Sequence, residues 1–294
     1  NFFACLLRAV GNSVIPLVFL AVSTVLNIVL DLWFVLGLDR GVSGAAEATV
    51  IAQYISGVGI AVYTWIRYPQ LRPVRGRFRV RWSCIREIGG FSVLTCVQQS
   101  IMNLGILLVQ GLVNSFGSVI MAAFAAAVKI DTFAYLPVQD FGNAFSTFVA
   151  QNYGAGNKDR IRLGTKQAFK MSILFSLVIS ALVFIFAAPL MEIFVDYSAQ
   201  DVIAAGVRYL RIEGSFYCGI GCLFLLYGYY RAVNHAEMSV VLTVISLGLR
   251  VALAYLFSGF IGVTGIWISI PIGWVLADIV GILYMSVEQK RLDI

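Results

Sequence analysis

Long apolar runs separated by short polar segments dominate the chain. Each run is about 20 residues or longer, which is the length that a helix needs to cross the hydrocarbon core of a bilayer. Apolar residues are continuous within the runs rather than alternating with polar ones, which favours helices over the strands of a closed β-barrel. Residues 1–10 resemble the end of a further helix. The predicted spans are 13–36, 44–67, 89–113, 118–150, 167–195, 202–230, 237–259 and 262–286.

The composition indicates the same class of protein. Hydrophobic residues make up 60% of the chain, charged residues make up 12%, and the mean hydropathy is +0.88. A soluble domain carries about 25% charged residues, so this chain lacks the residues to cover a soluble surface. We therefore expect an all-α integral membrane protein, a polytopic helical bundle with about eight spans in this chain.

The basic residues predict the orientation of the spans. The net charge is +6, but the basic residues lie between spans, which indicates membrane topology rather than a nucleic-acid partner. Segment 67–88 holds seven arginines, and segment 157–170 holds five lysines and arginines. Two predicted spans separate these segments, so both lie on one side of the membrane, and the positive-inside bias makes that side cytoplasmic. The C-terminus, with Lys290 and Arg291, is then cytoplasmic as well.

The cysteines and the histidine offer no metal or disulfide chemistry. Cys218 and Cys222 lie one helical turn apart in an apolar run and the other three cysteines are scattered, so we expect five reduced packing residues. His235 is the only histidine of the chain, which excludes a histidine-cluster metal site.

Two short motifs recur in the same order and indicate an internal repeat. Residues 8–10 (Arg-Ala-Val) recur at 231–233, and residues 41–44 (Gly-Val-Ser-Gly) recur as Gly-Val-Thr-Gly at 262–265. The offsets are 223 and 221 residues, and the motifs stand at equivalent positions relative to the predicted spans. Both copies begin on the same side of the membrane, so the repeat is parallel, an architecture known from transporters.

The repeat also predicts the domain organisation. At the offset of 223 residues, Asn1 matches residue 224, which lies about 136 residues after the start of the second copy near residue 88. About 136 residues, close to four spans, are therefore expected to precede Asn1. The intact protein would have about twelve spans in two six-helix halves. Residues 1–66 are then the C-terminal part of the first half, with the end of helix four and helices five and six. Residues 67–88 are a cytoplasmic basic linker. Residues 89–294 are the complete second half, with helices seven to twelve.

Three polar residues in the first two spans form a candidate cation site. Asn27 and Asp31 lie four residues apart, on one face of the first span. Thr49 lies about one turn into the antiparallel neighbouring helix and is expected to face them. A carboxylate, an amide carbonyl and a hydroxyl suit Na⁺, or a proton on Asp31, and an ionisable residue at membrane depth is by default a functional-site hypothesis. The alternative is an interhelical hydrogen-bond cluster that only holds the helices together.

A weaker cluster in the second half is a candidate substrate cavity. Lys129 and Asp140 flank Pro137 in the fourth span, and Gln98 and Gln99 in the third span could face the same cavity. The alternatives are pairing among the charged residues of the fourth span, and interhelical hydrogen bonding by the two amides.

Glu47, Arg250 and Asp278 are further isolated charges, for which we favour structural pairing over function. In the repeat, Arg250 stands at the position of Asn27. A cation site of this design is therefore predicted in the first half alone.

Several segments resemble the MATE family of multidrug and toxic-compound extrusion transporters. Residues 8–13, 26–31 and 41–46 resemble that family's fourth-to-sixth helix region. Residues 148–157 resemble its loop after the eighth helix, and residues 209–212 resemble the start of its tenth. The resemblance covers the whole chain, and it implies the family fold of two six-helix halves.

The resemblance implies an antiporter in the plasma membrane, of bacterial type and monomeric, that expels cationic or amphipathic small molecules in exchange for Na⁺ or H⁺. It implies contact with membrane lipid and no cofactor besides the coupling ion. The family's first-half cation site takes an aspartate from helix one and a Thr from helix six. Helix five supplies two residues that lie four positions apart, the first an Asn and the second an acid or another Asn. Asn27, Asp31 and Thr49 match the last three, and the helix-one aspartate falls in the segment expected before Asn1.

Some members of the family instead use acids on helices seven and ten. The aligned positions here are Ser100 and Ile220, so that second-half site is expected to be absent. Glu213, near the outer end of helix ten, is a weak substitute.

Three other functions remain as alternatives. A flippase for lipid-linked sugars, from the same wider superfamily, would need a cationic cavity for a pyrophosphate, and the candidate cavity offers one lysine beside acids. An intramembrane enzyme is disfavoured because no His-Glu-x-x-His, Gly-x-Ser-x-Asp or paired catalytic-aspartate motif is present. A signalling or purely structural membrane protein would leave the repeat and the buried oxygen cluster unexplained.

Overall fold

The computed structural model describes residues 1–72 and 81–291, with side chains as far as Glu288. The chain divides into two compact units, Asn1–Trp82 and Ser83–Ile294. Residues 73–80 of the predicted linker, which include Arg75, Arg77 and Arg79, lie outside the described residues, as do the side chains of Lys290 and Arg291. The cytoplasmic linker and the division into family halves therefore stay predictions.

The first unit is built around two long helices with a short connection. Gly41, at the start of the second of them, has a φ of +56°, which glycine adopts without strain. The Ser56 hydroxyl donates across the pair to the Phe19 carbonyl oxygen at 3.0 Å, and the Ser23 hydroxyl donates to the Ala52 carbonyl oxygen at 3.2 Å. The elements are α1 (Phe2–Ala9), α2 (Val14–Leu32), a π-helical turn (Trp33–Gly37), α3 (Gly41–Arg67) and a 3-10 turn (Pro69–Leu71).

The second unit contains the remaining described helices and most of the buried side chains of the described residues. Its elements are α4 (Trp82–Asn114), α5 (Ser118–Gly154), α6 (Lys158–Ile185), α7 (Ala187–Glu192), α8 (Gln200–Gly214), α9 (Tyr217–Ala232), α10 (Ala236–Thr243), a π-helical turn (Val244–Gly248), α11 (Leu249–Ile261) and α12 (Val263–Arg291).

Helix α9 forms the centre of the second unit. Every side chain from Ile220 to Tyr230 is buried, and α9 packs against α5, α6, α10 and α12. Gly142 of α5 and Gly228 of α9 allow their backbones to approach closely, because a Cβ on Gly228 would lie 2.6 Å from the Gly142 carbonyl oxygen. Small residues at such a crossing are typical of helix packing in membranes.

The prediction of an all-helical membrane bundle with about eight spans is confirmed. Seven described helical segments are long and apolar enough to cross a membrane, and α8 with α9 make an eighth span if the bent pair is counted as one. The described residues contain no strand.

The predicted spans were wrong in four places, at two helix starts and at two interruptions. Helix α4 begins at Trp82 rather than 89, and α6 begins at Lys158 rather than 167, because lysine and arginine are good helix formers whose long side chains reach the interface. The predicted span 167–195 divides into α6 and the short α7. The predicted span 202–230 is broken between Gly214 and Tyr217, where α8 and α9 meet with a bend of 51°.

Candidate functional site

In the first unit, helices α2 and α3 bring two of the predicted cation ligands into contact. The Asn27 amide nitrogen of α2 donates a hydrogen bond to the Thr49 hydroxyl of α3 at 3.3 Å. Asp31 is half-buried and lies one turn beyond Asn27 on the same helix. The predicted meeting of Asn27 and Thr49 is therefore observed, whereas their function in cation binding stays a prediction.

The hydrogen bonds around Thr49 determine which atoms are available to a ligand. The Thr49 hydroxyl donates its single proton to the Ala45 carbonyl oxygen at 3.0 Å. It can therefore only accept from Asn27, and the Asn27 amide must present its nitrogen to Thr49. That orientation leaves the Asn27 carbonyl oxygen available as a cation ligand.

Asp31 adds a carboxylate to this arrangement. Its Oδ1 atom is buried and has no hydrogen-bond partner among the described residues. The π-helical turn at Trp33–Gly37 begins two residues after Asp31, and such turns are frequent at functional sites. An unpartnered carboxylate oxygen, one helical turn from an amide that contacts a hydroxyl, can hold a small hard cation or a proton.

The second unit contains a cavity of about 250 Å³. It lies against the break between α8 and α9 and against the π-helical turn before α11. Its polar lining includes Gln110, Asp131, Thr132, Tyr135, Tyr209, Glu213, Tyr217, Tyr227, Ser246 and Arg250, among apolar and aromatic residues such as Phe124, Phe224 and Trp274.

Two acidic residues and one arginine share this cavity. The Tyr217 hydroxyl donates a hydrogen bond to Asp131, and the Asp131 and Glu213 residues are only 9% and 6% exposed. The positive charge of Arg250 acts on both carboxyl groups. Tyr209 lies in the same wall of the cavity.

The four residues predicted to line a substrate cavity lie elsewhere. Gln98 is buried on α4, whereas Gln99, Lys129 and Asp140 are exposed. None of the four lines the cavity of the second unit, as far as the described residues define it. Their assignment to a substrate cavity stays a prediction.

Three isolated charges were expected to be paired, and only one of them is. Glu47 forms an ion pair with Arg40. Arg250 and Asp278 form no ion pair with any described residue, so the expectation of pairing was wrong for both. Arg250 lines the cavity, and Asp278 is buried against α9 near Gly219.

Sequence reasoning therefore missed the polar groups of the cavity. It assigned no cavity to Asp131. It treated Glu213 as a weak substitute for a second-half site and Arg250 as a structural residue. A signal was present, because these three ionisable residues of both signs lie within three of the predicted spans. Ionisable residues within a bilayer usually compensate one another's charge.

The fold and these polar groups define a multi-pass helical membrane protein of the transporter class. The MatE family model matches residues 95–256, which is more than half of the chain. The chain belongs to the MatE family, whose members are transporters and not enzymes.

Relatives in other organisms agree with this assignment. The chain is 30% identical over 285 residues to the probable multidrug resistance protein YpnP of Bacillus subtilis, which covers 97% of this chain and 63% of that protein. It is 24% identical over 285 residues to the probable multidrug resistance protein NorM of Thermotoga maritima, covering 95% of this chain and 60% of that protein. The chain thus spans less than two thirds of these relatives.

The same fold occurs in a solved structure. The crystal structure of the Vibrio cholerae MATE transporter VcmN in the bent form matches with a TM-score of 0.90 and 23% identity, covering 99% of this chain and 66% of that one.

Proposed function

We propose that this protein is a cation-coupled antiporter that exports drugs or other small toxic organic compounds by alternating access. The observation that carries the proposal is the cluster of Asn27, Thr49 and Asp31, in which the amide and the hydroxyl meet and a buried carboxylate oxygen has no partner. The relatives named as probable multidrug resistance proteins support the substrate class.

The coupling ion in this proposal is Na⁺ or H⁺, and the oxygen atoms of the site suit either. Sodium would be held by the Asp31 carboxylate, the Asn27 carbonyl oxygen and the Thr49 hydroxyl, which are hard oxygen ligands. A proton would bind to Asp31 itself. No further cofactor is part of the proposal.

Coupling requires that the ion and the substrate favour different conformations of the protein. A ligand shifts a conformational equilibrium only by the difference between its affinities for the two states. The ion at Asp31 must therefore bind one facing state better than the other, and the substrate must show the opposite preference.

The two relatives described above come from bacteria. We propose that this protein lies in the plasma membrane as a monomer surrounded by lipid, with its C-terminus in the cytoplasm.

The lipid-linked-sugar flippase is disfavoured as an alternative. The cavity of the second unit presents two carboxyl groups and one guanidinium, which does not suit a pyrophosphate.

Transport into reconstituted vesicles tests the proposal. We expect accumulation of a fluorescent organic cation to follow an imposed Na⁺ gradient or an imposed pH gradient, and the difference between the two identifies the ion. Asp31→Asn should reduce this accumulation to the level of vesicles without the protein, because it removes the ionisable group. Asp201→Asn, in an exposed first turn of α8, is the matched control and should leave accumulation unchanged. Full gradient-driven accumulation by Asp31→Asn, with the protein folded, would reject the proposal.

A further inference from the structure

The cavity of the second unit has the features of a ligand site that the proposed coupling at Asp31 does not use. It lies where the chain departs from regular helix in two places, at the break from Gly214 to Tyr217 and at the π-helical turn Val244–Gly248. Discontinuous helices are typical of transporter binding sites, and π-helical turns are frequent at functional sites. Two departures from regular helix at one cavity indicate that its wall is shaped for binding.

Polar atoms in this wall are left without protein partners. The atoms Asp131 Oδ2, Glu213 Oε2 and Arg250 Nε are buried, and none has a hydrogen bond with the described part of the chain. Buried polar groups in folded proteins almost always have partners. One unpartnered oxygen on each of two carboxyl groups and one unpartnered guanidinium nitrogen, all at a single cavity, therefore indicate a ligand with both donors and acceptors.

The opposite charges share the cavity without neutralising each other directly. Arg250 acts electrostatically on Asp131 and Glu213, yet it forms no salt bridge with any residue that the structure describes. A direct salt bridge would be the expected arrangement if these groups served only to stabilise the helix packing. Their separation leaves room for a ligand that bridges the acids and the arginine.

We propose that this cavity binds a small zwitterion with an aromatic or otherwise apolar body. Its ammonium group donates to Asp131 and Glu213, and its carboxylate accepts from Arg250, because a guanidinium favours carboxylate partners. With one of the two acids protonated, the wall and the zwitterion are each neutral overall. The ligand then adds no net charge to the interior of the membrane, where a net charge is costly.

The size and the apolar lining of the cavity set the kind of body that fits. Drug-sized ligands occupy pockets of about 300–1,000 Å³, whereas this cavity measures about 250 Å³. Phe124, Phe224 and Trp274 contribute aromatic surface beside the polar groups. A ligand of the size of an aromatic amino acid matches both properties.

Binding to the purified chain in lipid nanodiscs tests the proposal with three matched probes. Phenylalanine is the zwitterion, its methyl ester carries only the positive charge, and N-acetylphenylalanine carries only the negative charge. We expect phenylalanine to bind at least about tenfold more tightly than either derivative, because each derivative leaves one set of charged groups unpaired. Absence of phenylalanine binding at millimolar concentration, or equal binding of all three probes, would overturn the proposal.

Variants of the cavity separate the two ends of the ligand. Arg250→Gln should weaken phenylalanine binding roughly 10- to 100-fold and remove its advantage over the methyl ester. In Glu213→Gln and in Asp131→Asn, the affinity for phenylalanine should instead fall toward the affinity for N-acetylphenylalanine. Arg208→Gln, on the exposed face of α8, is the control and should bind like the unaltered chain. If Arg250→Gln is folded, as judged by its thermal unfolding, and still prefers phenylalanine to the ester, the proposal fails.

The inference concerns binding in the second unit and does not rest on the proposed ion coupling at Asp31. The binding measurement needs no ion gradient, so a failure of coupling at Asp31 would leave its result unchanged. Conversely, gradient-driven export of organic cations could persist if the second-unit cavity bound no zwitterion.

Discussion

The contact between α5 and α9 allows a quantitative test of the packing in the second unit. In Gly228→Ala the new Cβ would lie 2.6 Å from the Gly142 carbonyl oxygen, whereas ordinary contacts begin at 3.4 Å. The two helices must therefore separate by about 0.8 Å, the difference between these distances. Helix α9 is buried on all sides and cannot move freely, so we expect the cost of overpacking, about 1–3 kcal/mol.

For a chain of this size about 1 kcal/mol corresponds to roughly 2–4 °C in Tm, so Gly228→Ala should lower the Tm by about 2–12 °C. Thermal unfolding in detergent can be followed by tryptophan fluorescence, because Trp267 and Trp274 are buried in the second unit. Gly259→Ala is the matched control, since its Cβ meets nothing within 4 Å. Alanine is the better helix former, so the control should keep or slightly raise the Tm. A Tm for Gly228→Ala equal to or above that of the control would refute the close packing of α5 and α9.

Two further substitutions test single interactions by the same thermal measurement. Tyr230→Phe removes the hydroxyl that donates to the Gly281 carbonyl oxygen at 2.6 Å, so the free energy of unfolding should fall by about 1 kcal/mol. Tyr255→Phe, at an exposed position, is the control and should have no effect. Equal shifts in Tm for the two variants would contradict this expectation. Arg40→Gln removes a half-exposed ion pair with Glu47, so we expect a loss of at most about 1 kcal/mol that shrinks as salt is added. A larger loss that does not depend on salt would show that the pair is not screened by water.

The lengths of the apolar runs were enough to predict the helical membrane fold, because a span must be continuous and apolar to satisfy its backbone in lipid. They were not enough to predict where helices end. Lys158 and Arg86 belong to helices that continue past the apolar run into basic segments. The break between Gly214 and Tyr217 was also not predictable from hydropathy, since the residues on both sides of it are apolar enough to read as one span.

The candidate sites show a similar difference between local and distant information. Asn27 and Asp31 lie on one helix and Thr49 on the next, so helical spacing and a short connection were sufficient to bring Asn27 and Thr49 together. In the cavity of the second unit, Asp131, Glu213 and Arg250 come from α5, α8 and α11. Their meeting depends on how distant helices pack, which the spacing in a single sequence does not encode.

The coupling of substrate to an ion at Asp31 is tested most directly by the reverse of gradient-driven uptake. A substrate gradient is imposed across vesicles without any ion gradient, and the movement of radioactive Na⁺ and of H⁺ is recorded. Linkage between two binding sites is reciprocal, so outward substrate movement should drive one of these ions inward in the unaltered protein. In Asp31→Asn this ion movement should be absent. Undiminished ion movement in Asp31→Asn, or none with the unaltered protein, would contradict the assignment of Asp31 as the coupling residue.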